Sequence, residues 1–207
     1  MRVLGVDPGL GRCGWAVLER RGGRVVAAGH GTVQTDGDQV APRLATLAAS
    51  LREVLAAHRP EALAIERVFF NANVRTAMTV GQASGVVLLL AAEHGLEVSA
   101  YTPPQVKQAV TGSGSAPKEQ VGYMVKALLG LAAVPTPADT ADALAVALCH
   151  LNYAGLAGPG TGTGGALGAA STADWLARAA PTSPGLGRGP AGGVRGAQAK
   201  QAKGAGR

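Results

Sequence analysis

Aromatic side chains are scarce in this chain: two Phe, two Trp and three Tyr among 207 residues, against an apolar share of 47%. An aromatic-centred core is therefore excluded. The core must be aliphatic, built from Val, Leu, Ile and Ala. Cysteine is nearly missing too. Cys13 and Cys149 match neither a disulfide framework nor a cysteine zinc site, and two such thiols suit a reducing compartment. Long hydrophobic runs are lacking. The most apolar stretch, Gly85 to Ala92, is shorter than the ~20 residues a membrane helix needs, so no membrane association is expected. The first residues run straight into a strand pattern, without the charged and apolar regions of a secretory signal. A cytoplasmic protein is the expectation. Acidic residues are also missing toward the C-terminus. Residues 151–207 carry one acid, Asp174, against six Lys and Arg, whereas residues 1–150 carry 12 acids against 13 bases. The formal net charge of +6 hints at an anionic partner, but most of the excess lies in the tail.

The chain is long enough for one domain with a real core. Met1 to Val6 is a short apolar run with β-branched residues, a buried strand, stopped by the turn Asp7-Pro8-Gly9. Cys13 to Glu19 and Arg24 to Val33 read as two more strands, joined at Gly22-Gly23. Pro42 opens a helix whose Leu44, Leu47, Leu51, Val54 and Leu55 share a face, and Arg59-Pro60 closes it. Glu61 to Val68 is a fourth strand, Thr76 to His94 a long helix with Gly95 as its cap, and Leu96 to Tyr101 a fifth strand. Helices are expected at Pro104 to Val110, Pro117 to Leu129 and Pro137 to about Tyr153. This alternation predicts an α/β fold: a mixed five-stranded sheet with helices on both faces and reactive groups at one end of its central strands. The domain is expected to span 1–154. Beyond it the composition changes, the last 57 residues holding 15 of the 31 glycines. That basic Gly/Ala/Pro-rich tail, 155–207, reads as disordered. Weak attraction to DNA and a merely solvated linker both fit it.

Four acids fall where elements end. Hydrolysis of a phosphodiester by two metal ions needs several carboxylates converging on one point, and Mg²⁺ prefers carboxylate and water oxygens. Asp7 closes the first strand, in a glycine-bearing turn that lets backbone approach a ligand. A turn aspartate bonding its own backbone fits that position as well. Glu66 closes the apolar strand Ala62-Leu63-Ala64-Ile65, unusual for an acid without a partner, although alternation could turn it to solvent. Asp139 and Asp142 are three apart on one face of the last helix. With Thr136 as N-cap and Pro137 as first residue, Asp139 also suits the helix dipole, whereas Asp142 lies beyond the first turn. Each has a structural explanation alone. Together they form a set whose mutual repulsion calls for a cation.

Several separated motifs now carry a resemblance. Met1-Arg2-Val3-Leu4-Gly5-Val6-Asp7-Pro8-Gly9, Ala64-Ile65-Glu66-Arg67-Val68-Phe69-Phe70, Gly81-Gln82-Ala83-Ser84-Gly85-Val86, Gln105-Val106-Lys107-Gln108, Gly114-Ser115-Ala116-Pro117-Lys118 and Ala138-Asp139-Thr140-Ala141-Asp142-Ala143-Leu144-Ala145 together resemble the bacterial RuvC family of Holliday junction resolvases, over about Met1 to Tyr153. The resemblance implies a ribonuclease H-like fold and a homodimer that nicks opposed strands of four-way junction DNA symmetrically. It implies two Mg²⁺ per site, with Mn²⁺ as a substitute, and a branch-migration complex of the RuvA and RuvB families as partner. It also implies that Asp7, Glu66, Asp139 and Asp142 are the catalytic and metal-binding acids. Some relatives carry histidine at the first acid of the last helix; this chain has Asp139.

Lys107 and Lys118 match basic residues that the family uses on DNA. Local physics favours a ligand at Lys118, where a cation in a first turn opposes the helix dipole by ~0.3–1 kcal/mol beside the loop Gly112 to Ser115. By resemblance Phe69, or else its neighbour Phe70, stacks on unpaired bases at the junction centre. Arg75 fits either a phosphate contact or a solvated helix start. The long helix is apolar around most of its girth after Gly81, so the sheet and a second subunit are expected to cover its two sides. Other readings weighed are a ribonuclease H-like nuclease acting on structured RNA or other DNA, and a non-catalytic junction-binding protein. A sugar-kinase or actin-like ATPase needs two duplicated domains, and the chain has no internal repeat.

Overall fold

The computed structural model describes residues 1–67 and 74–156, without the side chains of residues 74, 75, 155 and 156. Three strands open the chain: β1 (Arg2–Asp7), β2 (Arg12–Arg21) and β3 (Arg24–Gln34). They form an antiparallel meander, with a register irregularity between Val17 and Leu18. Gly22 and Gly23 both take positive φ in the two-residue turn between β2 and β3, which only glycine adopts at no steric cost. Helix α1 (Val40–His58) then leads to β4 (Ala62–Glu66), α2 (Val74–Glu93) and β5 (Glu97–Tyr101). Strands β4 and β5 add to β1 in parallel, so the sheet order is β3-β2-β1-β4-β5. Three helices follow: α3 (Pro103–Thr111), α4 (Lys118–Leu129) and α5 (Ala138–Leu156).

The expected mixed five-stranded sheet with helices on both faces is therefore present, and most boundaries fall within two residues of expectation. Helix α1 begins at Val40 rather than Pro42, because a proline is tolerated anywhere in a first turn, where its missing N–H has no partner to lose. Helix α5 begins at Ala138, so Thr136 is not its N-cap. Strand β4 stops at Glu66. The expected boundary at 154/155 cuts the last turn of α5, and the tail lies outside the described residues.

Strand alternation sorts the core into two layers. Leu4, Val6, Val17, Leu63, Ile65, Val98 and Ala100 pack with Leu47, Leu51 and Leu55 of α1 and Ala83, Val87 and Leu90 of α2. Val3, Ala16, Leu18, Ala62, Ala64 and Tyr101 point the other way, onto α3, α4 and above all α5, which is buried continuously from Ala143 to Leu151. Glycines let α5 lie directly on the strands. A Cβ on Gly5 would stand 2.7 Å from the Cβ of Ala147 and closer still to the carbonyl oxygen of Ala143.

Candidate active site

The same alternation decides where the strand acids point. Val6 and Ile65 lie opposite each other in the β1–β4 pair and face α1 and α2. The next residues, Asp7 and Glu66, therefore end two neighbouring parallel strands on the face that carries α5. That helix arrives from the side of β2. A Cβ on Gly14 would stand 2.5 Å from the carbonyl carbon of Asp139 and closer still to its oxygen. The first turns of α5 are thus held against the strand ends, and Asp139 and Asp142 face Asp7 and Glu66.

The helix acids lie close enough to act on the strand acids. Burial first, then the charges of Asp142 and Asp139, hold the Asp7 carboxyl well above its ordinary range. Burial first, then the charge of Asp7, does the same to Glu66. The two share a hydrogen bond, which requires a proton between them. The helix acids are instead balanced by cations. Lys118, the first residue of α4, donates from Nζ to Asp142 Oδ2 at 2.8 Å. Arg12, the first residue of β2, brings Nε within 3.2 Å of Asp139 Oδ2. That approach is out of line for a hydrogen bond, so this buried oxygen has a charge beside it but no donor among the described residues.

This donor set fits a divalent cation in its chemistry. It consists of carboxylate oxygens, the ligands a hard ion takes, two of the carboxyls are pushed upward by burial and by their neighbours' charge, and one buried oxygen lacks a donor. As they stand, no three of the described His, Cys, Asp or Glu side chains converge on one ion position. Asp139 and Asp142 are instead paired with Arg12 and Lys118.

Among the other residues singled out from the sequence, Lys118 joins the cluster directly. Lys107 lies on α3, whose start is fixed by a reciprocal capping box between Thr102 and Gln105. It takes no part in the ion pairs found among the described residues. Phe69 and Phe70 lie outside the described residues, as does the side chain of Arg75, whose backbone belongs to the first turn of α2. Arg12 was not foreseen. A lone arginine at a strand start resembles any solvated base, and the signal that could have marked it is its position two residues before Gly14 on the face that meets α5.

The exposed side of α2 also bears on function. Met78, Gly81, Gly85 and Leu89 form an exposed stripe along it, with Met78 60% and Leu89 57% accessible. By length and composition alone, Thr76–Glu93 is apolar enough to cross a membrane, more than Gly85 to Ala92 suggested. Its Ala83, Val87, Leu90 and Ala91 are buried in the core against the sheet and α1.

The comparisons agree with this geometry. The family described as "Crossover junction endodeoxyribonuclease RuvC" matches residues 3–150. A protein of that name from Moorella thermoacetica is 51% identical over 155 residues, covering 74% of this chain and 93% of the relative. The Thermus thermophilus RuvC structure superposes with a TM-score of 0.70 at 42% identity, over 76% of this chain and 97% of that one. The T. thermophilus RuvC in complex with Holliday junction substrate gives 0.69 at 39% identity, over 75% and 96%.

Proposed function

The chain belongs to the RuvC family of crossover junction endodeoxyribonucleases and is a structure-selective DNA endonuclease that resolves Holliday junctions; we propose that Asp7, Glu66, Asp139 and Asp142 are the acids that hold its divalent cations. The observation that carries this assignment is the mutual crowding of four carboxylates from two strand ends and a helix start. Two of them share a hydrogen bond and two lean on basic side chains.

Two Mg²⁺ ions, with Mn²⁺ as a substitute, are the cofactors in this reading, and when bound they activate the attacking water and stabilise the departing 3′ oxygen. The protein groups have separate tasks. Asp7 and Glu66 give up their shared proton. Asp139 and Asp142 turn from their basic partners toward the strand acids. Lys118, released from Asp142, stays at the start of α4 to hold a DNA phosphate. Lys107 is assigned to the DNA backbone and Phe69 to stacking on unpaired bases by family resemblance, while Arg75 is assigned to a phosphate from its place at the start of α2 alone. Paired symmetric nicks need two copies of the site, and the apolar stripe Met78-Gly81-Gly85-Leu89 supports a twofold homodimer through α2. A branch-migration complex of the RuvA and RuvB families as partner, and a cytoplasmic location, belong to the same reading.

The test is Asp7→Asn. Binding to a synthetic mobile four-way junction persists while Mg²⁺-dependent cleavage disappears. Retained cleavage refutes the assignment of Asp7. The unaltered protein should cut the junction and leave a matched duplex and an RNA–DNA hybrid largely intact.

A further inference from the structure

Backbone geometry, not one rotamer, puts Arg12 at the site. Residues 12, 14, 16 and 18 of β2 alternate onto the α5 face: Ala16 and Leu18 lie in the core on that side, and Gly14 abuts the backbone of Asp139. One step further along the strand, Arg12 passes beside the first turn of α5 and reaches Asp139 Oδ2. Lys118 approaches the neighbouring acid from α4. The helix acids are thus flanked by two cations that come from different elements.

We propose that Arg12 is a positioning residue of the nuclease site, which balances Asp139 while divalent cation is absent, yields that carboxylate when cation arrives, and then grips the DNA backbone on the β2 side. The inference rests on the reading of Asp139 as a cation ligand. Two observations and one consequence support it. The Arg12 side chain is 59% exposed, so it can swing away. Its contact with Asp139 lacks hydrogen-bond alignment, so little holds it there. Cations bound among the acids would satisfy Asp139 and leave a guanidinium at the rim, and the planar fork of arginine suits phosphate oxygens. An ion pair this exposed resists displacement by no more than about fivefold in affinity.

The experiment uses the full chain and two readouts that need no cleavage. Mn²⁺ is titrated without DNA, and free ion is followed by electron paramagnetic resonance. Arg12→Ala should bind Mn²⁺ about twofold to fivefold more tightly than the parent, because a competitor has gone. Junction affinity is then measured against salt with Ca²⁺, under conditions where no product forms. The logarithmic salt slope of Arg12→Ala should be shallower by about 0.9, the loss of one phosphate contact, and Arg12→Lys should restore it. Weaker or unchanged Mn²⁺ binding overturns the proposal, and so does an unchanged salt slope. Asp139→Asn separates the two readings. If it leaves Mn²⁺ binding unaltered, Asp139 is not a ligand. If it weakens binding and Arg12→Ala does so too, only the assignment of Arg12 falls.

Discussion

Gly14 gives the sharpest test of how the fold holds the site. A methyl group there would stand 2.5 Å from the carbonyl carbon of Asp139 and 3.3 Å from the Cβ of Ala143. Both obstacles belong to a buried helix, and the nearer one is backbone, which no rotamer change can move aside. Restoring an ordinary carbon contact of ~3.5 Å means shifting α5 by about 1 Å. Overpacking of this kind costs ~1–3 kcal/mol or more. For a fold of this size, each kcal/mol lowers Tm by roughly 2–4 °C, so Gly14→Ala should melt about 2–12 °C below the parent in a thermal scan. The loss in cleavage should be larger than that instability explains, because a misplacement of ~1 Å can cost about a hundredfold in rate. It should appear well below the melting temperature, with junction binding retained. Gly31→Ala is the control: the nearest atoms its methyl would meet belong to the ring of Trp15, at 3.3 Å, and that ring is not among the groups acting on the acids. Gly14→Ala with the parent's Tm and cleavage rate would refute the claim that this contact sets the position of Asp139.

Burial lowers His150, whose Nδ1 meets the Tyr101 hydroxyl at 2.9 Å, from 6.5 to about 4. The unfolded chain takes up this proton first as pH falls, so His150 contributes stability that is full above its unfolded value and is lost toward pH 4, up to ~3 kcal/mol. The gap in urea stability between parent and His150→Gln should therefore shrink from pH 7 to pH 4.5, and a constant gap would refute it. Gly85 on α2 meets nothing within 4 Å, so Gly85→Leu should fold normally yet weaken the proposed homodimer about tenfold; unchanged association in ultracentrifugation tells against the α2 interface. Mg²⁺ at about a hundred times its Kd should add ~2.7 kcal/mol of stability, or roughly 5–10 °C in Tm. Chelator should remove that shift and Asp7→Asn should shrink it, and the absence of any Mg²⁺ shift would refute a cation site among these acids.

Most of the architecture was legible because its signals are local. Val3 to Val6 and Ala62 to Ile65 read as buried strands from composition, and Asp7 and Glu66 follow directly at their ends. The hairpin at Gly22-Gly23 and the cap at Gly95 follow from the freedom of glycine at positive φ. The proposed composition of the site draws on equally local signals, since two acids close strands and two lie near the start of the last helix. Its internal pairing was not legible. That Asp7 leans on Glu66, Asp142 on Lys118 and Asp139 on Arg12 depends on sheet order and on the close seat of α5. Those contacts join residues up to 127 positions apart, as Arg12 and Asp139 are, and no local pattern encodes them.

The balance of charge explains how a nearly neutral domain can serve a polyanionic substrate. Residues 1–150 carry 13 bases and 12 acids, and in the reading proposed above four of those acids stand where a phosphate comes. Without cation the site would repel DNA, and its own bases are spent: Lys118 is held by Asp142 and Arg12 by Asp139. Two divalent cations would add four charges and take this region from +1 to +5, while freeing the two bases that flank the acids. Cofactor binding and the attraction of DNA are then one electrostatic event. The site becomes a place for a phosphate only once it is equipped to cut one, and long-range attraction, screened beyond ~8 Å at physiological salt, need not come from a broad basic surface.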